Sequence, residues 1–338
     1  MNSYALFRLP YDNSYTMVRS DGEPLVLDSL TDIGNRSGFL IAPFAQSADC
    51  PILLIRPDQV ERHLLPTPSA GTPGQEAEPL STPDAAYTEA FGKFHSAVSE
   101  GWLQKLVLSR SKEVPVADCE ARAMNFFLRA CQLYPRLMVM LYSTPQSGTW
   151  LIATPEVLVE GKASAYHTIA LAGTMPYTDS YANWSQKNLG EQQVVVSYIR
   201  ESLETLSQDV LVDGPVTMRA GNLAHLRTDF HFHLNPDTKL GLLVAMLHPT
   251  PAVCGFPKKL AQAFIRDNEG NSRSYYSGFA GPIDIHSETH LYVSLRCARL
   301  LGQSAVLHAG GGIMPGSQCQ SEWLETEYKM NTICHVFH

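Results

Sequence analysis

The sequence lacks any hydrophobic run long enough to cross a membrane. A bilayer-spanning helix needs about 20 predominantly apolar residues, whereas the longest apolar stretches here, LGLLVAML and LMVMLY, have the length of strands. The first residues, MNSYALFRLPYDNSY, also lack the basic segment followed by an apolar segment that marks a secretory signal. We therefore expect a cytoplasmic protein that does not bind membranes.

Cysteine pairs and basic blocks are also missing. The seven cysteines are scattered, with no Cys-x-x-Cys pair, which argues against a disulfide framework and against a cysteine-based zinc site. The net charge is −8, and no block rich in Lys and Arg is present. A nucleic-acid partner is therefore disfavoured, and an anionic substrate would have to be held by local cations or by a metal ion.

Apolar residues make up 44% of the 338 positions, which suffices for a large core. Residues 1–65 alternate short apolar runs with turn residues and predict strands. Residues 66–83, PTPSAGTPGQEAEPLSTP, predict a flexible loop. Residues 84–338 mix helical patterns with strand pairs, which favours an α+β fold over a doubly wound dinucleotide-binding fold. We expect the three parts to form a single structural domain.

The patterns of four apolar segments predict their secondary structure. KLVLSR, residues 105–110, predicts a buried strand with a lysine at its start. KLGLLVAMLH could be a strand or a buried helix, and HLYVSLRCARLL alternates well enough to be one strand. VLHAGGGIMPG predicts a strand that runs into a glycine loop, which could be a tight turn or could hold an oxyanion on its backbone amides.

Acidic residues in three segments could point toward one site. Glu156 lies at a strand edge, Glu191 lies on a helix, and Glu322, Glu325 and Lys329 have the spacing of one helical face. Each of them taken alone is more simply explained as a solvated surface charge. If the carboxylates gather without His or Cys, they suit a hard cation such as magnesium, which takes one or two protein carboxylates.

The HFH stretch resembles a metal-binding pair, because His231 and His233 share one face of a strand. No third His or Cys has a suitable spacing, and Asp229 alone does not complete a zinc site. We therefore interpret these residues as ordinary polar histidines. Ser109 lacks the setting of a nucleophile elbow, so a serine hydrolase is poorly supported.

Taken together, ten blocks resemble the chorismate-utilising enzymes, which include isochorismate, salicylate, anthranilate and aminodeoxychorismate synthases. The blocks occur in the family's order and cover about residues 85–338: KLVLSR, ATPEVLVE, ALAGT, LAHLRT, LHPTPAVCGFP, FIRDNE, YYSGFAGPID, HLYVSLRCARL, HAGGGIMPGS and EWLETEYK. The first 80 or so residues match less well. The resemblance implies an α+β sandwich of two large antiparallel sheets with flanking helices. It also implies that residues 84–338 form the chorismate-binding catalytic region.

The resemblance further implies a magnesium ion that bridges the protein and the ring carboxylate of chorismate. Glu191 and Glu325 would hold the ion, with Glu322 beside them as a third metal-site carboxylate. The histidine that usually follows the first metal glutamate is Gln192 here. The residues implied to contact the substrate are Gly173, Thr174, His248, Ala252, Tyr276, Arg296, Gly310, Gly312 and Lys329.

The resemblance also indicates which reaction to expect. Water adds to C2 of chorismate as the C4 hydroxyl leaves, with Lys105 as the general base and Glu156 as the general acid. Ammonia-using anthranilate synthase carries glutamine at the first of these positions. Aminodeoxychorismate synthases that form a covalent adduct carry lysine where this chain has Ala172, so that chemistry is disfavoured.

We therefore expect conversion of chorismate to isochorismate. Salicylate synthesis, which adds a pyruvate elimination, is the close alternative, and a non-catalytic chorismate-binding relative is another. A lysine of ordinary pKa is a poor base at neutral pH, so Lys105 needs desolvation, and Glu156 needs burial to stay protonated. We expect a monomer or a weak homo-oligomer. The sequence does not decide whether the product feeds menaquinone or siderophore synthesis.

Overall fold

The structure, a computed structural model, describes residues 3–67, 81–177, 183–220 and 223–338. Most of the predicted loop at 66–83 lies outside these residues. The strands, β1 to β18 in chain order, are Ser3–Arg8, Ser14–Ser20, Leu25–Leu27, Gly38–Ala42, Ile52–Ile55, Gln59–Leu64, Lys105–Pro115, Met138–Thr144, Gly148–Thr154, Val157–Lys162, Ala165–Pro176, Leu211–Ala220, Leu223–His233, Gly255–Phe256, Phe279–Ile283, Thr289–Val293, Cys297–Leu300 and Ser304–Ile313. The helices, α1 to α6, are Ala85–Ser99, Ala123–Leu133, Gln186–Glu204, Leu240–Leu247, Lys258–Asn268 and Cys319–Cys334.

The strands form two nine-stranded antiparallel sheets. Sheet 1 has the order β14-β7-β18-β17-β9-β8-β1-β2-β6, and sheet 2 has the order β12-β13-β11-β10-β16-β15-β4-β5-β3. Each sheet therefore contains strands from both the N-terminal and the C-terminal parts of the chain. The predicted α+β sandwich of two large antiparallel sheets is confirmed.

The continuous apolar run LMVMLY shows why the sheets form a layered core. In β8, Met138 and Met140 pack between the sheets, whereas Val139 and Leu141 face the layer formed with α2. Because side chains alternate across a strand, a run that is apolar at every position is buried on both faces. On sheet 2 the outer face is covered by α3 and α4, with Val195 in that layer.

Two of the places at which the chain crosses from one sheet to the other are neighbours, and one of them corrects a prediction. HLYVSLRCARLL is two strands, not one: β16 belongs to sheet 2 and β17 to sheet 1. The break is at Arg296, whose φ of 46° is left-handed and cannot continue a ladder. Glu156 lies at the second crossing, between β9 of sheet 1 and β10 of sheet 2.

The structure also decides the predictions made for two other segments. KLGLLVAMLH contains helix α4, so the helical alternative is correct. The three glycines of HAGGGIMPG do not form a loop, as was predicted, but lie inside β18, where Gly310 pairs with Ser109 and Gly312 with Val107. Within the described ranges, no helix is both long and apolar enough to cross a membrane.

Candidate active site

A cavity lies where the ends of β7 and β18 in sheet 1 face β11 in sheet 2. Glu156, Glu191 and His225 form part of its wall. Most of the substrate-contact residues predicted from the sequence also line it, namely Gly173, Thr174, Ala252, Tyr276, Arg296, Gly310, Gly312 and Lys329. Residues that are far apart in the sequence therefore surround one space, which is the candidate active site.

Lys105, the first residue of β7, is fully buried and lies directly behind Glu191 and Gly312, two residues of the cavity wall. Its Nζ lies 2.9 Å from Oε1 of Glu191, a buried residue of α3. Burial raises the pKa of Glu191, but the nearby Lys105 and Lys187 outweigh it and hold that pKa below the ordinary value. Glu191 is therefore ionised, and the buried Lys105 is paired with a carboxylate.

Glu156 faces the same cavity from the crossing between the sheets and is almost fully buried. Burial raises its pKa to about 7, against the opposing effect of Lys105, Lys329 and Arg296. A carboxyl group with such a pKa is substantially protonated near neutral pH and can donate a proton. The burial that a general acid needs at this position is present.

Arg296 and His225 form a buried pair in the cavity wall. Nη2 of Arg296 lies 2.8 Å from Nε2 of His225, and burial, followed by the charge of Arg296, holds the pKa of His225 well below its usual value. The ring is therefore neutral: Nε2 accepts from Arg296, and Nδ1–H can donate to the carbonyl of Gly173, 3.2 Å away. Nη1 of Arg296 has no hydrogen-bond partner among the described residues, so it is available to an anion.

The glycines of β18 leave room for functional groups on both faces of the strand. A Cβ at Gly312 would collide with Oε1 of Glu191 and lie 3.1 Å from Cε of Lys105. A Cβ at Gly311 would point to the other face, 3.2 Å from Oε2 of Glu322. Strand β17 pairs with β18 only as far as His308, so the edge beyond it is open. There the carbonyl of Gly310 accepts from Nζ of Lys329 at 2.8 Å.

The remaining predicted metal carboxylates come from α6. Oε1 of Glu322 accepts from Nζ of Lys187 at 2.5 Å, and Oε1 of Glu325 accepts from Nζ of Lys329 at 2.6 Å. Burial, together with the neighbouring charge of Glu325, raises the pKa of Glu322 to about 7. Each of these carboxylates is thus paired with a lysine, as Glu191 is with Lys105.

The chemical type of these ligand atoms suits magnesium. The three glutamates offer carboxylate oxygens without His or Cys, and buried Oε2 of Glu322 has no hydrogen-bond partner within the described residues. The oxygens of Glu191, Glu322 and Glu325 do not all lie within 4.8 Å of one another. Binding one ion would therefore require these side chains to turn away from their lysines.

Two predicted positions differ from the expected pattern. Gln192, in place of the family's usual histidine, accepts from the amide of Ala172 at 2.9 Å and donates to the carbonyl of Ala170 at 3.1 Å. It therefore holds β11 next to the bulge at Gly173. His248 is not part of the cavity wall: its Nε2 lies 3.0 Å from the carbonyl of Pro43 in a buried contact.

Sequence reasoning missed His225 and Lys187 as residues of the site. His225 lies within the LAHLRT block, but nothing in the sequence showed that it contacts Arg296, 71 residues away. Lys187 precedes Glu191 by one helical turn, yet its bond is to Glu322 on another helix. Both contacts depend on long-range packing, which no local pattern encodes.

Comparison with known proteins identifies the family of this chain. A family model described as chorismate binding enzyme matches residues 56–338, which include every residue of the cavity wall. The chain belongs to the chorismate-binding enzyme family. The matched region of this chorismate-binding enzyme begins at residue 56, so it extends N-terminal of the ten sequence blocks.

Among known relatives of this chorismate-binding enzyme, the isochorismate synthase EntC of Escherichia coli is 32% identical over 200 residues, 56% of this chain and 51% of that protein. The salicylate biosynthesis isochorismate synthase of Pseudomonas aeruginosa is 31% identical over 291 residues, 83% of this chain and 60% of that protein. The aligned chain spans about half the length of the first relative.

The fold is also similar to a solved structure. The structure of MenF, the menaquinone-specific isochorismate synthase from Escherichia coli, has a TM-score of 0.82 at 22% identity, over 99% of this chain and 89% of that chain. At this identity the likeness concerns the fold.

Proposed function

We propose that this chorismate-binding enzyme converts chorismate into isochorismate. The observation that carries the proposal is one cavity whose wall contains buried Glu156, Arg296 with its unpartnered Nη1, and Glu191, behind which buried Lys105 lies at 2.9 Å. A base, an acid and an anion-binding group are what this exchange of hydroxyl positions requires. The two relatives compared above are named as isochorismate synthases, which supports the same reaction.

In the proposed mechanism, Arg296 holds a carboxylate of chorismate, and His225 fixes the orientation of the guanidinium. Lys105, once its Nζ has lost a proton, accepts a proton from the water that attacks C2. Glu156 donates a proton to the hydroxyl that leaves C4, so that water is released. The alanine at position 172 offers no nucleophile for a covalent adduct, so water remains the attacking group.

Magnesium is the proposed cofactor, with Glu191 and Glu325 as its main ligands and Glu322 beside them. The ion would neutralise the ring carboxylate of the substrate and so favour its binding among these glutamates. The lysines that now pair with the carboxylates keep the site close to neutral without the ion.

We also propose a cytoplasmic enzyme that is a monomer or a weak homo-oligomer. Size-exclusion chromatography with light scattering can check the oligomeric state.

The reaction is tested by incubating the purified protein with chorismate and magnesium and separating the products by chromatography. Isochorismate as the sole product supports the proposal. Salicylate together with pyruvate would assign the alternative activity, which adds an elimination step. A lack of any product, while bound chorismate is detected by calorimetry, would instead support a non-catalytic binding protein.

A further inference from the structure

A second cluster of chemically active side chains lies on sheet 2, away from the cavity. It contains Glu160 on β10, His167 on β11, and Asp229 and His231 on β13. The cross-strand register places Glu160 opposite His167 and His167 opposite His231. The pairing of the strands therefore brings His167 next to Asp229 and His231, a contact that no sequence spacing indicates.

The geometry of this cluster is that of a metal-ligand set. Nε2 of His167 lies 2.7 Å from Oδ1 of Asp229, and the rings of His167 and His231 stack with centroids 4.6 Å apart. One ligand atom from each of these three residues lies within 4.8 Å of the other two. Two imidazoles and one carboxylate are a donor set that first-row transition metals bind with positions left open for water.

Glu160 supports the orientation of the first ligand. Its Oε1 lies 3.0 Å from Nδ1 of His167, and its Oε2 accepts from the hydroxyl of Tyr292 at 2.9 Å. A carboxylate bonded to the far nitrogen of a metal-binding histidine is a common outer contact, since it fixes the ring and raises its basicity as a ligand. Glu160 therefore holds the ring of His167 in place, next to the other two proposed ligands, Asp229 and His231.

Exposure and charge also favour a cation. His231 is exposed, and within the ranges that the structure describes its ring has no hydrogen bond, only the stacking contact with His167. Glu288 adds a third carboxylate near Glu160 through their shared neighbour His290. Arg227 donates to both oxygens of Asp229 and Lys162 lies 3.9 Å from Glu288, so these two cations offset only part of the charge of the three carboxylates.

We propose that His167, Asp229 and His231 form a binding site for a divalent first-row transition metal ion, with Zn²⁺ as the representative ion. The site is separate from the proposed magnesium site: along β11, His167 lies six residues before Gly173, which is roughly 20 Å at 3.3 Å per residue. Bound metal would link β11 to β13 and stabilise sheet 2, because an ion that binds only the folded chain favours it by mass action.

The test is a calorimetric titration of the full chain with Zn²⁺, after EDTA treatment and in excess magnesium, which occupies the glutamate site. We compare wild type with His231→Ala and with His233→Ala. The control residue lies two positions further along β13 and is also exposed, but it pairs with Asp209 outside the cluster. Circular dichroism checks that both variants are folded.

We expect one saturable Zn²⁺ site and a rise in melting temperature on binding. Both should be retained in His233→Ala. In His231→Ala the affinity should fall about 100-fold or more, because loss of an outer contact alone costs 10–100-fold. The proposal is overturned if no saturable site is found, if His231→Ala binds as tightly as wild type, or if both variants lose binding equally.

Discussion

Lys105 and Glu191 form a buried ion pair, with 2.9 Å between Nζ and Oε1, beside a glycine position that cannot hold a side chain. The lysine comes from a strand of sheet 1 and the glutamate from a helix that covers sheet 2. Gly312 is the point at which both approach the backbone. The proposed base and the proposed metal ligand are therefore positioned by the same residue.

The glycine can be tested first. Gly312→Ala should displace Glu191 and Lys105, because the new methyl group would overlap Oε1 of the glutamate. We expect turnover to fall about 100-fold, which is the usual effect of a shift of about 1 Å in a catalytic group. Gly302→Ala is the matched control, since a Cβ there meets no atom within 4 Å. Equal activity of both variants would contradict the close approach seen at Gly312.

Lys105→Gln tests the proposed base. The glutamine amide can still donate to Glu191, so the buried carboxylate keeps a partner, but it cannot accept a proton from water. We expect kcat to fall about 10²–10⁴-fold, the usual contribution of a general base. Lys112→Gln is the control, because Lys112 lies on the same strand but is partly exposed and pairs with Glu327. A kcat close to wild type in Lys105→Gln would remove this residue from the mechanism.

The pKa of Glu156 sets the alkaline side of the pH profile. Because burial raises this pKa to about 7, the protonated acid is the main form below that value and is lost as the pH rises through it. At saturating magnesium, kcat/KM should fall about tenfold per pH unit above about 7. Glu156→Gln should have much lower activity, and its kcat/KM should not fall in this way above pH 7. If the same fall persists in that variant, another group is responsible for it.

Arg296 should affect substrate affinity more than the chemical step. Arg296→Gln removes a buried cation with a free Nη1, and a hydrogen bond to a charged group is worth about 1.5–3 kcal/mol. We expect KM for chorismate to rise about 10–100-fold, measured by steady-state kinetics. The comparison variant is Arg299→Gln, an exposed position three residues later on β17. An unchanged KM in Arg296→Gln would mean that the substrate carboxylate binds elsewhere.

Glu269, the last residue of the FIRDNE block, forms a structural ion pair with Arg273 and holds strand β7. Glu269 accepts from the amide of Ser109 at 2.7 Å and from Arg273, and both side chains are buried. Glu269→Gln should reduce the free energy of unfolding by about 3–5 kcal/mol in urea denaturation, because it leaves a buried cation without its counter-charge. Asp267→Asn, which breaks an exposed pair on the same helix, should change it by less than about 1 kcal/mol.

The mixed helix and strand patterns predicted the α+β class, and the family that the ordered blocks resemble implied most of the cavity wall. The run LMVMLY has the length of a strand, and it forms β8 in the structure. The crossing at Arg296 was missed because the alternation of HLYVSLRCARLL continues through it, while the break depends on one left-handed residue.

The glycine run was misjudged for a related physical reason. Three consecutive glycines suggest a loop when backbone freedom is the only consideration. In β18 they serve instead to leave space, because Glu191, Glu322 and the hydroxyl of Tyr276 lie where side chains would stand. Such a requirement comes from other elements of the fold and has no trace in the local sequence.

The two neighbouring crossings at Glu156 and Arg296 have a consequence for motion. The carbonyl of Glu156 accepts from the amide of Val293, and the carbonyl of Arg296 accepts from the amide of Ala153, at 2.9 and 3.1 Å. The proposed acid and the substrate anchor thus belong to two adjacent chain segments that are fastened to each other. If the two sheets slide or separate slightly, these segments move as one unit, so the spacing between proton donor and bound carboxylate is preserved while the cavity opens.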